Sequence, residues 1–263
     1  MNPTLQALVG EPEAFLRERW NRETVHRHAG LPELLTERDI RATIDCGLLV
    51  EPYFTVLPPE GRSPSAELSV ERRVLNVKRP GFVHRRNLLA AFDDGSAIQL
   101  SRIEDWHHPV RELVEGLRPS FDTELHAYAV LSPADVTTAT AHTGGSHLLV
   151  LQLDGEAEWT LTGNDEREQL LLRAGDVLYV PPGRSHLATA KGGNSLHVVV
   201  TIEEPSTGEI TESLTRELRR RFKAHERYSH HHLMTAEDKA VWVRTAAAQY
   251  CAQFAAATAT EQP

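Results

Sequence analysis

The sequence has few cysteines and no long hydrophobic run. Its 263 residues include two cysteines, Cys46 and Cys251, which lie far apart and outside any CxxC or Cys/His spacing. This usage excludes a zinc finger and makes a disulfide framework improbable, so both side chains are expected to be small buried hydrophobes. The longest apolar runs, such as residues 148–153, are far too short to cross a bilayer.

Positive charge is also scarce. The chain has 28 Lys and Arg against 37 Asp and Glu, which gives a formal net charge of -9. Because phosphate binding needs a basic face, neither nucleic acid nor a membrane is expected as a partner. No charged start precedes an apolar stretch, so we expect no signal peptide and a cytoplasmic location. Walker, G-x-G-x-x-G and G-x-S-x-G motifs are missing as well.

The hydrophobic pattern divides the chain into three parts. Residues 1–120 mix helical and strand-like segments and are expected to form a cap that contributes outer strands. Residues 121–204 change to short Val- and Leu-rich segments separated by Gly, Asn, Asp and Pro. This rhythm predicts a mainly β barrel or jelly roll, which hides its edges by closing on itself. Residues 205–263 return to a helical pattern and predict a C-terminal helical extension.

Individual elements follow from the same pattern. In the cap, Thr36 is expected to cap a helix that Gly47 ends. The predicted helices are 13–22, 31–46, 87–92, 109–117, 211–224 and 235–256. The predicted strands are 48–57, 98–102, 126–131, 146–153, 158–161, 169–172, 177–180 and 195–202.

The most informative segment is residues 173–186, Arg-Ala-Gly-Asp-Val-Leu-Tyr-Val-Pro-Pro-Gly-Arg-Ser-His. It fits the second cupin motif, G-x5-P-x-G-x2-H, at every fixed position. The glycine-aspartate turn leads into a strand, and the Pro-Pro-Gly bend lets the next strand aim His186 inward. An imidazole delivered from a rigid strand is a good ligand for Fe(II), Mn(II), Zn(II) or Ni(II).

A second segment, residues 141–155, supplies a partner ligand. It contains His142, a strand ending in Leu-Gln-Leu and a turn glycine, and Trp159 follows. This frame resembles the JmjC-like ribosomal oxygenases, also called the cupin-4 family, over roughly residues 124–202. The resemblance implies a double-stranded β-helix barrel with an N-terminal helical cap and C-terminal helices. It also implies hydroxylation of protein side chains with Fe(II), 2-oxoglutarate and dioxygen.

The resemblance assigns roles to particular residues. His142 and His186 correspond to the two histidine ligands of the metal. Tyr128 resembles a tyrosine at the mouth of the site, and His197 resembles a histidine that contacts the co-substrate or the metal ligands. For both, simple packing is the alternative. Gln152 is expected to point into the barrel, where its amide can hydrogen-bond a ligand.

Two positions depart from the family pattern. Gly144 stands where the carboxylate ligand of the metal belongs, and glycine has no side chain to bind one. Ala157 stands where the family has a basic residue that pairs with the second carboxylate of 2-oxoglutarate. Glu156 and Glu158 flank it, beside a site that should attract a dianion.

Several interpretations of these departures stay open. His147 can serve as the third ligand if Gly144-Gly145 allows the strand to bulge, although simple alternation points His147 to the opposite face. A small residue at position 144 also resembles halogenases, in which chloride occupies the vacated position. A third interpretation is a catalytically retired barrel that binds a partner or a small molecule.

A fourth interpretation is a true oxygenase with anchors from elsewhere. The positive charge would then come from a basic residue near the site, and a nearby carboxylate would reach the metal. The basic candidates are Arg184, Lys191 and Arg173, and the acidic candidates are Asp154 and Glu156.

The leading prediction is a metal-dependent oxygenase of the JmjC-like cupin class, with Fe(II) as the expected metal and 2-oxoglutarate as a possible co-substrate. His142 and His186 would bind the metal, and its substrate would be a peptide, a protein or a small molecule. The helices from residue 211 onward are expected to mediate a homodimer.

Overall fold

The computed structural model describes residues 2–31, 34–59, 66–121, 123–140, 145–163, 166–221 and 231–259. For residues 139, 140, 166, 214, 217–221, 231, 250 and 253–259 it describes the backbone alone. The chain folds as two compact units, Met1–Glu204 and Pro205–Pro263.

The elements have the following bounds. The described helices are α1 (Pro3–Val9), α2 (Pro12–Ala14, continued by a π-helical turn, Phe15–Arg19), α3 (Glu37–Cys46), α4 (Arg85–Asp93), α5 (His108–Leu117), α6 (Thr207–Arg221) and α7 (Ala236–Ala259). The described strands are β1 (Val25–His28), β2 (Phe54–Leu57), β3 (Ser69–Val74), β4 (Val77–Val83), β5 (Ala97–Ser101), β6 (Leu125–Ser132), β7 (Thr137–Thr140), β8 (Ser146–Gly163), β9 (Glu166–Arg173), β10 (Asp176–Val180) and β11 (Ser185–Glu203).

Two long strands, β8 and β11, organise the first unit. The first half of β8 pairs with β10 and with the second half of β11, which also pairs with β6. The second half of β8 pairs with β9 and with the first half of β11, which also pairs with β7. Strands β1, β5 and β2 extend the first set into a large sheet in the order β1-β10-β8-β11-β6-β5-β2. The jelly-roll barrel predicted from the sequence is confirmed.

Gly155 turns β8 from one half of the barrel to the other. Its φ is +65°, and a Cβ there would lie 2.1 Å from the carbonyl oxygen of Asn194 on β11. No side chain fits so close to a backbone oxygen, so only glycine allows the two long strands to cross at this corner.

The large sheet separates two apolar cores. Along β8, Leu149 and Leu151 pack with the N-terminal helices in an outer core. Leu148 and Val150 face the other way and pack with Trp159 and its neighbours in an inner core, between the two halves of the barrel. This alternation decides which side chains of β8 can reach the barrel interior.

Helix α3 shows where local signals worked and where they did not. Thr36 is its N-cap in a reciprocal capping box with Asp39, and Gly47 ends it with φ +70°, as the sequence predicts. The helix begins at residue 37, however, and not at 31. Cys46 and Cys251 are both exposed and unpaired, so the prediction that they are buried was wrong.

Several short elements were missed because their sequences lack a clear apolar period. Strands β1 and β7 are short, and each is held by a neighbouring barrel strand. The hairpin of β3 and β4 is rich in charged residues, and its side chains are nearly all exposed or half-buried. Pairing partners far away in sequence define β1 and β7, which is information that local periodicity does not contain.

The second unit contains α6 and α7, and Ile210, Val241 and Val243 are among its exposed apolar side chains. None of the described helices has the length and apolarity that a bilayer crossing requires.

Candidate metal centre

His186 lies inside the barrel, near the start of β11. Its side chain follows the Pro-Pro-Gly bend, is 5 % exposed, and stands opposite Leu161 of β8 and Thr140 of β7. The Trp159 ring stacks on the imidazole with centroids 5.7 Å apart. Because His186 lies on a strand that is paired on both sides, its imidazole is held in a defined position in the interior.

The other expected metal ligand, His142, lies outside the described residues, as does Gly144. Strand β7 ends at Thr140, whose Cα is paired with that of His186. Within the described ranges, no group of three or more His, Cys, Asp or Glu side chains is placed to hold a metal ion. The described residues therefore supply one imidazole of the expected pair.

His147 lies on the opposite face of β8 from the barrel interior. It is fully buried, with its ring stacked on Trp20 at 3.8 Å between centroids. Its Nδ1 lies 2.8 Å from the Tyr179 hydroxyl, and its Nε2 lies 3.1 Å from Oε1 of Glu204. The inward orientation that a third metal ligand needs is not present, and strand alternation is the reason.

The environment of His147 keeps this orientation. A carboxylate only accepts hydrogen bonds, so the Glu204 contact places the proton on Nε2, and Nδ1 accepts from Tyr179. Burial lowers the pKa of His147, and Glu204 offsets part of that effect. The Tyr179 oxygen also accepts from the Asn21 backbone N–H at 2.8 Å. His147 is thus a neutral, fully buried side chain of the outer core.

Polar side chains line part of the interior. Gln152 of β8 lies opposite His197 of β11, and the His197 ring lies 5.2 Å from that of Trp159. The Gln152 amide donates to the Asp154 carbonyl at 2.8 Å and to the Ser195 hydroxyl at 2.9 Å. These contacts place Gln152 and His197 on the interior side, as the sequence analysis expected for Gln152.

Burial sets the protonation of the titratable groups here. Desolvation, and then the nearby His186, lower the pKa of His197 to about 3, so this imidazole is neutral at physiological pH. Tyr128 of β6 packs against the inner core, and burial raises the pKa of its hydroxyl. Both are therefore uncharged hydrogen-bonding groups.

The basic candidates are engaged in ion pairs. Arg184 Nη1 donates to Glu168 at 2.8 Å and to the Thr24 hydroxyl at 3.0 Å. Arg173 forms an ion pair with Glu156 at 3.1 Å. Lys191 forms one with Glu158 at 3.3 Å.

Position 157 itself is part of a small apolar row. Ala157 of β8 lies between Ala190 of β11 and Leu172 of β9, and all three side chains are buried. Asp154 is used at the barrel corner, where its carboxylate accepts from the Gly155 N–H at 2.9 Å. None of the described candidates supplies a cation at this position.

Sequence reasoning used Trp159 only as a landmark and missed its place between His186 and His197. The alternation of Ala157, Trp159 and Leu161 along β8 was the signal that would have placed it inside the barrel. The partners of Arg184 gave no such signal, because Thr24 lies 160 residues away in sequence.

The JmjC domain family matches residues 163–210. The chain is 27% identical, over 133 residues, to the bifunctional lysine-specific demethylase and histidyl-hydroxylase NO66 of Drosophila simulans, covering 42% of this chain and 16% of that protein. The corresponding protein of Dictyostelium discoideum is 25% identical over 132 residues, covering 42% of this chain and 26% of its own length. The chain therefore spans about a quarter or less of these relatives.

The fold is similar to that of the Escherichia coli ribosomal oxygenase YcfD. One structure of YcfD gives a TM-score of 0.56 at 15% identity, covering 85% of this chain and 60% of that one. Another, in complex with cobalt and 2-oxoglutarate, gives 0.57 at 16% identity, covering 84% and 59%. The chain thus contains a segment that matches the JmjC domain, is similar over part of its length to NO66, and shares its fold with YcfD.

Proposed function

We propose that this chain is a metal-dependent oxygenase of the JmjC-like class that binds Fe(II) through His142 and His186. The observation that carries the proposal is the placement of His186, a buried imidazole on a rigid strand directly opposite Thr140. His142 follows Thr140 by two residues, and two extended residues span at most about 7 Å. We therefore propose that His142 can reach the metal position beside His186.

The donor set fits a divalent metal of the first transition row. Imidazole nitrogens suit Fe(II), Ni(II) and Zn(II), and a buried strand holds them with little loss of entropy on binding. Since His147 faces the outer core, none of the described residues supplies the third protein ligand of the proposed centre. Bound Fe(II) would supply dioxygen activation at this site.

The chain's own residues hold the centre and limit access to it. Trp159 packs against His186 and fixes the plane of its ring. The apolar inner core around them, including Leu161 and Val199, excludes water from one side of the site. Neutral His197 and Gln152 offer hydrogen bonds without adding charge.

The relatives suggest what the site takes. YcfD was solved with cobalt and 2-oxoglutarate, so we propose Fe(II) together with a 2-oxo acid. NO66 is named a lysine-specific demethylase and histidyl-hydroxylase, and YcfD a ribosomal oxygenase. A side chain of a peptide or protein is therefore the substrate class that we favour, ahead of a small molecule.

An anaerobic optical titration tests this function. The purified chain receives Fe(II) and then a 2-oxo acid, with 2-oxoglutarate and 2-oxobutyrate in separate samples. We expect a visible charge-transfer band that needs both additions and is lost in His142→Ala and in His186→Ala. The exposed His108 provides the control, because His108→Ala should leave the band unchanged. Retention of the band in His186→Ala would refute the assignment.

A non-catalytic barrel that binds a partner is the second candidate. It is favoured by the ion pairs that engage the described basic candidates and by the outward orientation of His147. Under this alternative no divalent metal is retained, and His142→Ala alters stability alone.

Repeating the titration with and without chloride tests the halogenase-like variant, in which the anion takes the third metal position.

We also propose a cytoplasmic homodimer. The two free cysteines are compatible with a reducing compartment. In the second unit, Ile210, Val241 and Val243 expose apolar surface that a second copy would cover.

A further inference from the structure

Three polar atoms inside the barrel have no hydrogen-bond partner among the described residues. They are Nε1 of Trp159, Nδ1 of His197 and Oε1 of Gln152, and each is shielded from solvent. The three residues are 1 %, 3 % and 0 % exposed. Buried polar atoms are nearly always paired, so a group of them marks a place where a bound molecule completes the hydrogen bonds.

The three residues form one continuous patch. Gln152 and His197 are direct neighbours across β8 and β11, and Trp159 contacts His197 edge to face. The same Trp159 ring stacks on His186. A ligand that reaches the metal position beside His186 would therefore have this patch within its reach.

The patch contains no positive charge from the described residues. Ala157, Leu172 and Ala190 form an apolar row on the inward side of the neighbouring strands. Arg173 follows Leu172 and Lys191 follows Ala190, so both side chains point to the outer face of the barrel. There each forms an ion pair with a glutamate. The guanidinium of Arg184 is likewise held by Glu168.

Charge decides which ligand the patch accepts. A carboxylate buried without a cation loses its hydration and gains too little from the protein in return. An uncharged acceptor escapes that penalty and still satisfies the Trp159 N–H. An uncharged end is therefore favoured over an ionised one.

We propose that this patch, made of Gln152, Trp159 and His197, binds the uncharged end of a 2-oxo acid that carries a single carboxylate. Resting on the proposed function, this inference names the co-substrate class of the same site. The 2-oxo acid end faces the metal position, and the other end reaches the patch. A second carboxylate, as in 2-oxoglutarate, weakens binding.

Calorimetric titration of the anaerobic, Fe(II)-loaded full chain tests the inference. The probes are 2-oxoglutarate and its 5-methyl monoester, which differ in the charge at the far end and in one methyl group. 2-Oxohexanoate, which has no polar group at that end, is the third probe. We expect the monoester to bind at least about tenfold more tightly than 2-oxoglutarate.

Two variants separate the patch from the rest of the barrel. Trp159→Phe keeps an aromatic ring but removes the N–H, and should lower monoester affinity roughly five- to tenfold with little effect on 2-oxohexanoate. Arg173→Ala removes a cation on the outer side and should change the affinity of neither. Circular dichroism confirms that both variants are folded.

The outcomes are distinguishable. If Fe(II) is retained and 2-oxoglutarate binds as tightly as the monoester or more tightly, this inference is overturned while the proposed function stands. Retained Fe(II) with no binding of any probe also overturns it. Loss of Fe(II) binding by the wild-type chain overturns the proposed function, and this inference with it.

Discussion

The His147 side chain is packed and hydrogen-bonded in the outer core, so we expect it to stabilise the fold. Trp20 covers one face of its ring, and Tyr179 and Glu204 lie within 3.1 Å of its two nitrogens. We expect His147→Ala to lower the free energy of unfolding by about 2–4 kcal/mol, because it leaves a cavity and an unpaired hydroxyl. Urea unfolding measures this loss.

The matched variant His147→Phe keeps the ring stacking and loses the nitrogens. It should cost less, about 1–2 kcal/mol, because the Tyr179 hydroxyl loses the acceptor for its proton. Fe(II) binding should be unchanged in it. A loss of bound metal with unaltered stability would mean that His147 is a ligand after all.

Asp176, the first residue of β10, contacts two histidines of the neighbouring strand β1. Burial raises the pKa of this carboxyl, but the Arg173 N–H and the His28 and His26 imidazoles together outweigh it, so its pKa lies below the usual 3.8. The hydrogen bonds are 2.9 Å, 2.9 Å and 3.1 Å long, respectively. Ionised Asp176 therefore stabilises the folded state.

The sign of the pH dependence follows. A carboxyl whose pKa is lowered on folding contributes stability that is present above the unfolded pKa and is lost as pH falls through the folded pKa. Asp176→Asn should be about 1–3 kcal/mol less stable than wild type at pH 7. The difference in the free energy of unfolding between the two proteins should shrink below about pH 4. Urea unfolding of both proteins at a series of pH values measures it. A difference that is constant down to pH 2 would contradict this account.

At the residue scale, the sequence predicted the inward histidine of the cupin motif because fixed glycines and prolines define the turn before His186. His147 was named as a candidate third ligand on condition that a bulge turned it inward; instead it follows the alternation of β8 and faces outward. The partners of His147 could not be predicted, since Trp20 and Glu204 meet it only through tertiary packing. The assignments of His142 and Gly144 remain predictions.

At the element scale, the corner of β8 depends on one glycine. Gly155→Ala would bring a Cβ to 2.1 Å from the Asn194 carbonyl, so the two strands must separate. Gly192 also has a positive φ, +68°, but open space around it. Gly192→Ala should therefore lower the free energy of unfolding by only about 1–2 kcal/mol, the penalty for placing an alanine in the left-handed conformation.

Thermal unfolding of the two variants tests the corner. Gly155→Ala should be clearly less stable than Gly192→Ala, or fail to fold. Equal melting temperatures would show that the crossing of β8 and β11 tolerates a side chain, and that the corner is not fixed by this contact.

The strands that contain continuous apolar runs, such as β6 and β10, were predicted almost to the residue. The sequence pattern split β8 into two strands, because Asp154 and Gly155 look like a turn. In the structure they are a corner within one continuous strand. Local signals detect the bend, but only pairing with β11 shows that the chain continues beyond it.

At the scale of the whole molecule, the prediction concerns assembly. We expect the full chain to be a dimer in analytical ultracentrifugation, and Val241→Glu with Val243→Glu to shift it toward monomer, because charge disfavours an apolar interface. Leu75→Glu, at another strongly exposed apolar residue, is the control and should leave the dimer intact. A monomeric wild-type chain would contradict the prediction.

The central claim is that the barrel binds Fe(II) through His142 and His186, and anaerobic equilibrium dialysis tests it most directly. The account predicts one Fe(II) per chain in the wild type and in His147→Phe, and little or none in His142→Ala or His186→Ala while both remain folded. A wild-type chain that retains no Fe(II), or a His186→Ala chain that retains all of it, would contradict the account.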